Sequence, residues 1–204
     1  MPLIPISKRI LDLTLTIPGI LILSPLLLLI SILVGVNFGT PIIFRQKRPG
    51  YQGKPFWIYK FRTMTYAHDT HDNLLPDSQR ITRLGQFLRS SSLDELPELY
   101  NVLRGEMSWV GPRPLLMQYL ERYSPEQARR HEVLPGITGW AQINGRNALT
   151  WEEKFKLDVW YVDHWSFLLD IRILLLTIVK VLRREGINQP DQATAEEFMG
   201  NHDS

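Results

Sequence analysis

The chain of 204 residues contains no cysteine, which excludes a disulfide framework, a thiol nucleophile and any Cys-ligated zinc or iron-sulfur centre. It also lacks Asp and Glu between residues 13 and 68, a stretch that nevertheless holds Arg45, Lys47, Arg48, Lys54, Lys60 and Arg62. That one-sided charge suits anionic headgroups or phosphorylated ligands. The formal net charge of +2 therefore hides a basic first third, with Asp12 as its single acid, and an acidic remainder. Nucleic acid is the rival partner for a basic patch; the adjoining apolar segment points to anionic membrane lipid instead, and no nucleic acid is expected. Equally absent are a Walker loop, a Gly-x-Ser-x-Gly elbow, a His-Glu-x-x-His pair and a dinucleotide fingerprint, so the common alternative chemistries lack their signatures. The length fits one compact catalytic unit.

What is present begins with a run from Ile10 to Val36 whose only polar side chains are Asp12, Thr14, Thr16, Ser24 and Ser31. As a straight helix it would be roughly 40 Å long, enough to cross a hydrocarbon core of roughly 30 Å. Both flanks are basic, Lys8 and Arg9 before and Arg45, Lys47 and Arg48 after, and positive charge favours the cytoplasmic side. Ser24-Pro25 lies near the midpoint, where Pro25 cannot donate to the carbonyl of Leu21, and Ser24 is placed to bond a freed carbonyl. A helix that enters and returns satisfies both facts; a Pro-kinked spanning helix is the alternative. A cleavable signal peptide fits less well, because no Ala-x-Ala site follows.

Beyond it, Pro41–Phe44 and Phe56–Phe61 read as a hairpin around Pro49-Gly50 and Gly53, and His68–Ser78 as a solvated loop. A helix is expected over Ile81–Leu88, stopped by Ser90-Ser91-Ser92, with a second beginning near Asp94. Further helices are expected over Leu115–Arg122 and Pro125–His131, the latter capped by Ser124. Glycines 136, 139 and 145 mark a looped stretch. Trp151, Trp160, Tyr161, Trp165 and Phe167 precede an amphipathic run, Leu168–Leu182, too broken to span and suited either to the headgroup level or to core packing. The chain thus divides into a membrane helix-break-helix over 1–40, a cytoplasmic catalytic domain with interfacial helices over 41–187, and a polar tail over 188–204. The fold class is α+β, mainly helical.

Asp94 and Glu95 sit in Ser92-Leu93-Asp94-Glu95, which matches a Ser-x-x-Glu capping box. A helix N-terminus and nearby Arg89 would stabilise carboxylate charge and keep Asp94 ionised near neutral pH, as a nucleophile or a magnesium ligand needs. An ionised carboxylate is a poor general acid, which argues against a glycosidase-like pair. Cations to hold phosphates are available in Lys60, Arg62, Arg89, Arg113 and Arg146. Arg113 lies between Pro112 and Pro114, a restricted backbone that presets a bidentate fork for phosphate or uracil. Pro135-Gly136-Ile137-Thr138-Gly139 and Asn144-Gly145-Arg146 could let backbone approach a ligand.

Taken in order, Lys8-Arg9, Asp12, Ser24-Pro25, Lys60-Phe61-Arg62-Thr63-Met64, Ser92-Leu93-Asp94-Glu95-Leu96-Pro97, Gly111-Pro112-Arg113-Pro114 and Pro135-Gly136-Ile137-Thr138-Gly139 resemble the small monotopic phosphoglycosyl transferases over nearly the whole chain. The resemblance implies a re-entrant helix broken at Ser24-Pro25 on the cytoplasmic face of the bacterial inner membrane, and dependence on Mg2+. It implies a two-step reaction in which the motif aspartate attacks the sugar-linked phosphate of a UDP-sugar, UMP leaves, and polyprenyl (undecaprenyl) phosphate takes the phosphosugar. On these positions Asp94 is the nucleophile and magnesium ligand and Glu95 assists in metal binding or deprotonation. Arg89 and Arg113, flanked by Pro112 and Pro114, hold the nucleotide sugar, and Lys60, Arg62 and Arg146 are further phosphate-binding candidates. The product would feed downstream glycosyltransferases. The ending Gln192–Gly200 resembles that of the enzymes that initiate bacterial N-linked protein glycosylation from UDP-N,N'-diacetylbacillosamine. A direct ternary attack, with Asp94 only holding the ion, and a non-catalytic membrane-docked scaffold are the rival readings.

Overall fold

The computed structural model describes residues 5–145, 148–183 and 197–200. In chain order these form α1 (Ile6–Phe38), β1 (Ile43–Pro49), β2 (Pro55–Phe61), α2 (Asp77–Arg80), α3 (Arg83–Ser90), α4 (Glu98–Arg104), β3 (Ser108–Val110), α5 (Pro125–Ala128), β4 (Gly136–Thr138), α6 (Trp140–Ile143), α7 (Trp151–His164) and α8 (Phe167–Arg183). The mainly helical α+β class is as expected.

The apolar run forms one continuous helix. α1 passes through Pro18 and Pro25 without interruption, so the expected break at Ser24-Pro25 is not a gap in the helix. Pro25 has no N–H for the Leu21 carbonyl, and the Ser24 hydroxyl donates to that oxygen at 2.8 Å, which is the local repair the sequence suggested. α1 is long and apolar enough to cross a membrane, yet little of it is buried within the protein; Leu21, Ile22, Leu28, Leu29, Ile32 and Val36 are exposed.

Both ends of α1 pack on the same folded unit formed by the rest of the chain. Near its start, Lys8, Asp12 and Thr16 are spaced by four, so they share one face, and all are buried. Asp12 Oδ1 accepts from Ser108 Oγ and the Trp109 backbone N–H, and Thr16 Oγ1 accepts from Trp109 Nε1. Arg9 donates to the carbonyls of Val102 and Leu103, a guanidinium closing the last turn of α4. Toward its other end, Ile30 and Val34 join Phe61 and Leu88 in a core with Leu26, Leu27 and Phe38 around it. Lys8 and Arg9 therefore do not lie free among headgroups, as basic flanks would; their charges are used inside the protein.

β1 and β2 form the expected antiparallel hairpin, paired from Ile43 with Phe61 to Pro49 with Pro55. Its turn uses Gly53 at φ 70 and Gln52 at φ 54, the left-handed region that the turn demands. The second helix begins at Glu98 rather than near Asp94, because Leu93–Glu95 is a separate 3-10 turn and Ser92 forms no side-chain cap. Residues 136–138 are not loop: they pair in parallel with β3, a contact between distant segments that no local pattern announces. Residues 117–122 form a 3-10 turn, and α5 has the expected Ser124 cap, completed by Gln127 as a capping box. α7 was not foreseen as a helix; its Thr150 and Glu153 form a second capping box. α8 matches the amphipathic run, with Ile173 and Asp170 buried while Leu168, Leu175 and Ile178 are exposed. Of the aromatic belt, Trp160 is partly exposed, whereas Trp165 packs in the core and Trp151 stacks on Phe155. The expected polar tail is docked at Glu197–Gly200, where Phe198 is buried among Tyr119, Tyr123, Trp151 and Phe155; its other residues fall outside the described ones.

Candidate active site

A cavity of about 960 Å³ opens between the hairpin, α3, the turn at Asp94 and the Gly-Pro-Arg-Pro loop. Strand alternation aims one face of the hairpin into it: Phe44, Gln46 and Arg48 from β1, and Ile58 and Lys60 from β2, where Phe44 pairs with Lys60 and Gln46 with Ile58.

Asp94 enters from the turn between α3 and α4. Ser92, at φ 56, reverses the chain in the left-handed region, a conformation costing an L-residue about 1–2 kcal/mol. Asp94 is 8% exposed, lines the cavity, and makes no side-chain hydrogen bond or ion pair among the described residues. Burial, then the neighbouring Glu95 charge, pushes its carboxyl up to about 6 against the pull of Lys60, Arg113 and Arg89. The expected stabilisation by a helix cap is absent and burial dominates, yet the group remains mostly ionised at neutral pH.

Glu95 is engaged instead of open. Lys60 Nζ is 2.6 Å from its Oε1, and Arg113 forks onto both oxygens. Burial pushes this carboxyl up, but the Arg113 guanidinium and the Lys60 ammonium outweigh it and hold Glu95 well below the usual range. Lys60 also lies 3.1 Å from Glu98, which is 2% exposed. Burial and the Glu95 charge raise Glu98 to about 7. Sequence reasoning missed Glu98, although its place one helical turn beyond Asp94 and Glu95 was a signal.

The Gly-Pro-Arg-Pro loop is seated by backbone contact. A Cβ on Gly111 would lie 2.2 Å from the Leu134 carbonyl oxygen, one on Gly136 2.1 Å from the Gly111 nitrogen, and one on Gly139 2.2 Å from the Gly111 oxygen. These glycines bring chain against chain, not chain against ligand as their sequence allowed. Pro112 and Pro114 are buried on either side of Arg113. Arg130 fixes the same loop, donating to the Arg113 carbonyl at 2.8 Å while pairing with buried Asp158 at 2.6 Å; neither residue was anticipated.

Arg89 lines the cavity and donates from Nε to Thr63 Oγ1 at 3.0 Å. Its helix can approach because Gly85 has no side chain; a Cβ there would sit 1.9 Å from the Thr63 carbonyl oxygen. Arg62 also borders the cavity, but it donates to the carbonyls of Met64 and Phe38 and stacks 4.0 Å over Tyr66, which makes it a tie between β2 and α1 more than a phosphate clamp. Arg146 lies outside the described residues. Lys154, half buried and 4.5 Å over Trp151, adds an unforeseen cation to the wall. The structure thus gathers Asp94, Glu95, Lys60, Arg89 and Arg113 in one place: an open, ionised carboxylate beside cations and a clamped second carboxylate, an arrangement suited to phosphoryl chemistry.

Residues 4–184 match the family described as bacterial sugar transferase. The chain is 58% identical over 198 residues to the uncharacterized sugar transferase EpsL of Bacillus subtilis, covering 97% of this chain and 98% of that protein. It is 43% identical over 189 residues to a UDP-glucose:undecaprenyl-phosphate glucose-1-phosphate transferase of Xanthomonas campestris, covering 87% of this chain and 39% of that protein. It is likewise 43% identical over 195 residues to the galactosyl transferase CpsE of Streptococcus agalactiae, covering 89% of this chain and 43% of that protein. It therefore spans nearly all of EpsL but less than half the length of the other two.

Proposed function

Because the chain belongs to the bacterial sugar transferase family, we propose that it moves a sugar-1-phosphate from a UDP-sugar to a polyprenyl phosphate such as undecaprenyl phosphate, releasing UMP. The observation that carries this reading is the buried, ionised carboxylate of Asp94, without a side-chain partner among the described residues, facing a cavity with Lys60, Arg89 and Arg113. A relative named for this class of transfer, with glucose as its sugar, supports it.

In the first displacement an Asp94 oxygen attacks the sugar-linked phosphorus, a new P–O bond forms, and the bond to the UMP oxygen breaks with its electron pair on UMP. In the second, an oxygen of the lipid phosphate attacks the same phosphorus and the Asp94 carboxylate leaves unchanged. One site thereby serves a water-soluble donor and a lipid acceptor in turn. Glu95 holds Lys60 and Arg113 in place, and these cations with Arg89 receive the phosphates. The burial that raises Asp94 also removes the water shell that would blunt its attack.

For magnesium the donor set fits a substrate-bridged ion. No cluster of three acidic or His ligands exists among the described residues, but Mg2+ is commonly bound through one or two carboxylates together with substrate phosphates. Asp94 would hold it, since Glu95 is already clamped. When bound, the ion would neutralise charge on the donor phosphates.

The membrane reading is that α1 enters the cytoplasmic leaflet and returns, bending at Pro25. It is supported by the two ends of α1, Lys8–Thr16 and Leu26–Phe38, resting on one catalytic unit, which a crossing helix would place on opposite sides. For the donor sugar, the relatives' names suggest glucose and galactose, and the ending Gln192–Gly200 suggests diacetylbacillosamine; only residues 197–200 of that segment are described.

The test is UMP release by purified protein supplied with magnesium, undecaprenyl phosphate and a panel of UDP-sugars, for the parent and for Asp94→Asn. Release with one donor, lost in the variant, is expected. An Asp94→Asn protein that folds and turns over like the parent would sink the proposal. Capture of a phosphosugar on Asp94 by intact-protein mass spectrometry, with acceptor omitted, separates the covalent route from direct ternary attack.

A further inference from the structure

Arg48 ends the face of β1 that carries Phe44 and Gln46, and it lines the cavity beside Arg113. Among the described residues its guanidinium makes one side-chain hydrogen bond, from Nη2 to Gln46 Oε1 at 2.7 Å, and no ion pair. Its Nε is buried and has no partner. Lys60, Arg113 and Arg130 each hold a carboxylate. Burial first, then the Arg113 charge, pulls Arg48 down to about 10, with Glu98, Tyr119 and Tyr123 acting against that. A half-buried guanidinium set beside another without its own carboxylate is unfavourable in the empty site, and an anion bound between them relieves it.

We propose that Arg48 is a phosphate-binding residue of the donor subsite, where it and Arg113 take the diphosphate of the nucleotide sugar. The donor's identity rests on the transferase reading above. Both donor and lipid acceptor carry phosphate, and the strand direction decides between them. β1 starts just after α1, so Phe44 lies at the end of the cavity nearest the membrane helix, and Arg48 lies roughly 13 Å farther along the strand. The lipid phosphate arrives from the α1 side; the water-soluble donor occupies the far end. Fully charged hydrogen bonds to phosphate are the strongest polar contacts such a site can make, and Arg48 has no ion pair among the described residues that it would have to give up for them.

The experiment uses the full chain in lipid nanodiscs, with Arg48→Met, which keeps the apolar stem, and Arg48→Lys, which keeps the charge. UDP binding is measured with magnesium present and lipid substrate omitted, by titration and thermal shift, alongside KM for donor and for acceptor. Unliganded Arg48→Met is expected to melt at or above the parent temperature while its affinity for UDP falls at least about tenfold. Donor KM rises, acceptor KM does not, and Arg48→Lys recovers part of the loss. UDP affinity within about twofold of the parent in either folded variant overturns the proposal. A rise confined to acceptor KM moves the phosphate to the lipid and overturns the donor assignment. Should Arg48→Met fail to fold, Arg48→Lys carries the test alone, because a compact ammonium cannot reproduce the guanidinium fork. A parent that binds UDP but releases no UMP would defeat the transferase reading while leaving the Arg48 comparison decisive.

Discussion

At the scale of single residues, burial moves the protonation of several groups in and around this site, and it does so with both signs. His131 is 9% exposed, its Nε2 is buried without a partner among the described residues, and its ring lies 5.6 Å from Tyr123. Burial, followed by the adjacent Arg130 charge, pushes it down to about 4. The unfolded chain would take up that proton near 6.5, so the stability His131 provides is present above pH 6.5 and is lost as pH falls toward 4. The loss is at most about 3 kcal/mol. Asp94 and Glu98, raised to about 6 and about 7, work in the opposite sense: their contribution is present in acid and is lost as pH rises through those values. The discriminating quantity is therefore the stability difference between the parent and His131→Phe across pH 4 to 7. It should shrink steadily as pH falls below 6.5; a difference that stays constant would show that His131 does not titrate as its surroundings dictate.

At the scale of elements, legibility followed locality. The hairpin announced itself through the aromatic and β-branched runs Pro41–Phe44 and Phe56–Phe61 on either side of Pro49-Gly50 and Gly53, and Ser124-Pro125 announced α5. The 3-10 turn at Leu93–Glu95 was masked by a sequence that spells a capping box but whose Ser92 adopts a left-handed backbone instead. The β3–β4 pair joins residues 28 apart in sequence, Ser108 with Gly136, and no local pattern carries such pairing. Of the site, Asp94, Glu95, Lys60, Arg89 and Arg113 were legible because they sit in dense blocks. Arg48 and the Arg130–Asp158 pair were not, because only the folded chain brings them to the cavity; Glu98 was overlooked although its spacing from Asp94 and Glu95 pointed to it. α1 is the element whose sequence and structure bear on topology together. With Ile6→Cys and Lys54→Cys placed singly in the cysteine-free chain, a membrane-impermeant thiol reagent should reach both from the same side of sealed vesicles. Reaction from opposite sides would make α1 a crossing helix and overturn the re-entrant reading.

For the molecule as a whole, the long apolar helix α1 is joined to the rest of the fold by a buried charge. Lys8 Nζ donates to the Val110 carbonyl at 2.8 Å, to Tyr161 Oη at 3.1 Å and to Asp170 Oδ2 at 2.7 Å. Asp170 also accepts from Tyr161 Oη and Trp165 Nε1. One ammonium thus ties α1 to β3, α7 and α8, and both members of the ion pair are almost fully removed from water. Removing one member leaves the other charge buried and uncompensated, which costs about 3–5 kcal/mol, whereas replacing both together is far milder. Lys8→Met and Asp170→Asn should therefore each destabilise the protein strongly in denaturant titrations in nanodiscs. The double variant should be much more stable than the sum of the two losses predicts, because no charge is then left buried without its counter-charge, and an amide at 170 keeps one acceptor oxygen for Tyr161 or Trp165. Strict additivity would mean that the pair is not coupled, and that α1 is held instead by the hydrogen bonds of Arg9, Asp12 and Thr16 and by the Ile30, Val34 and Phe61 core.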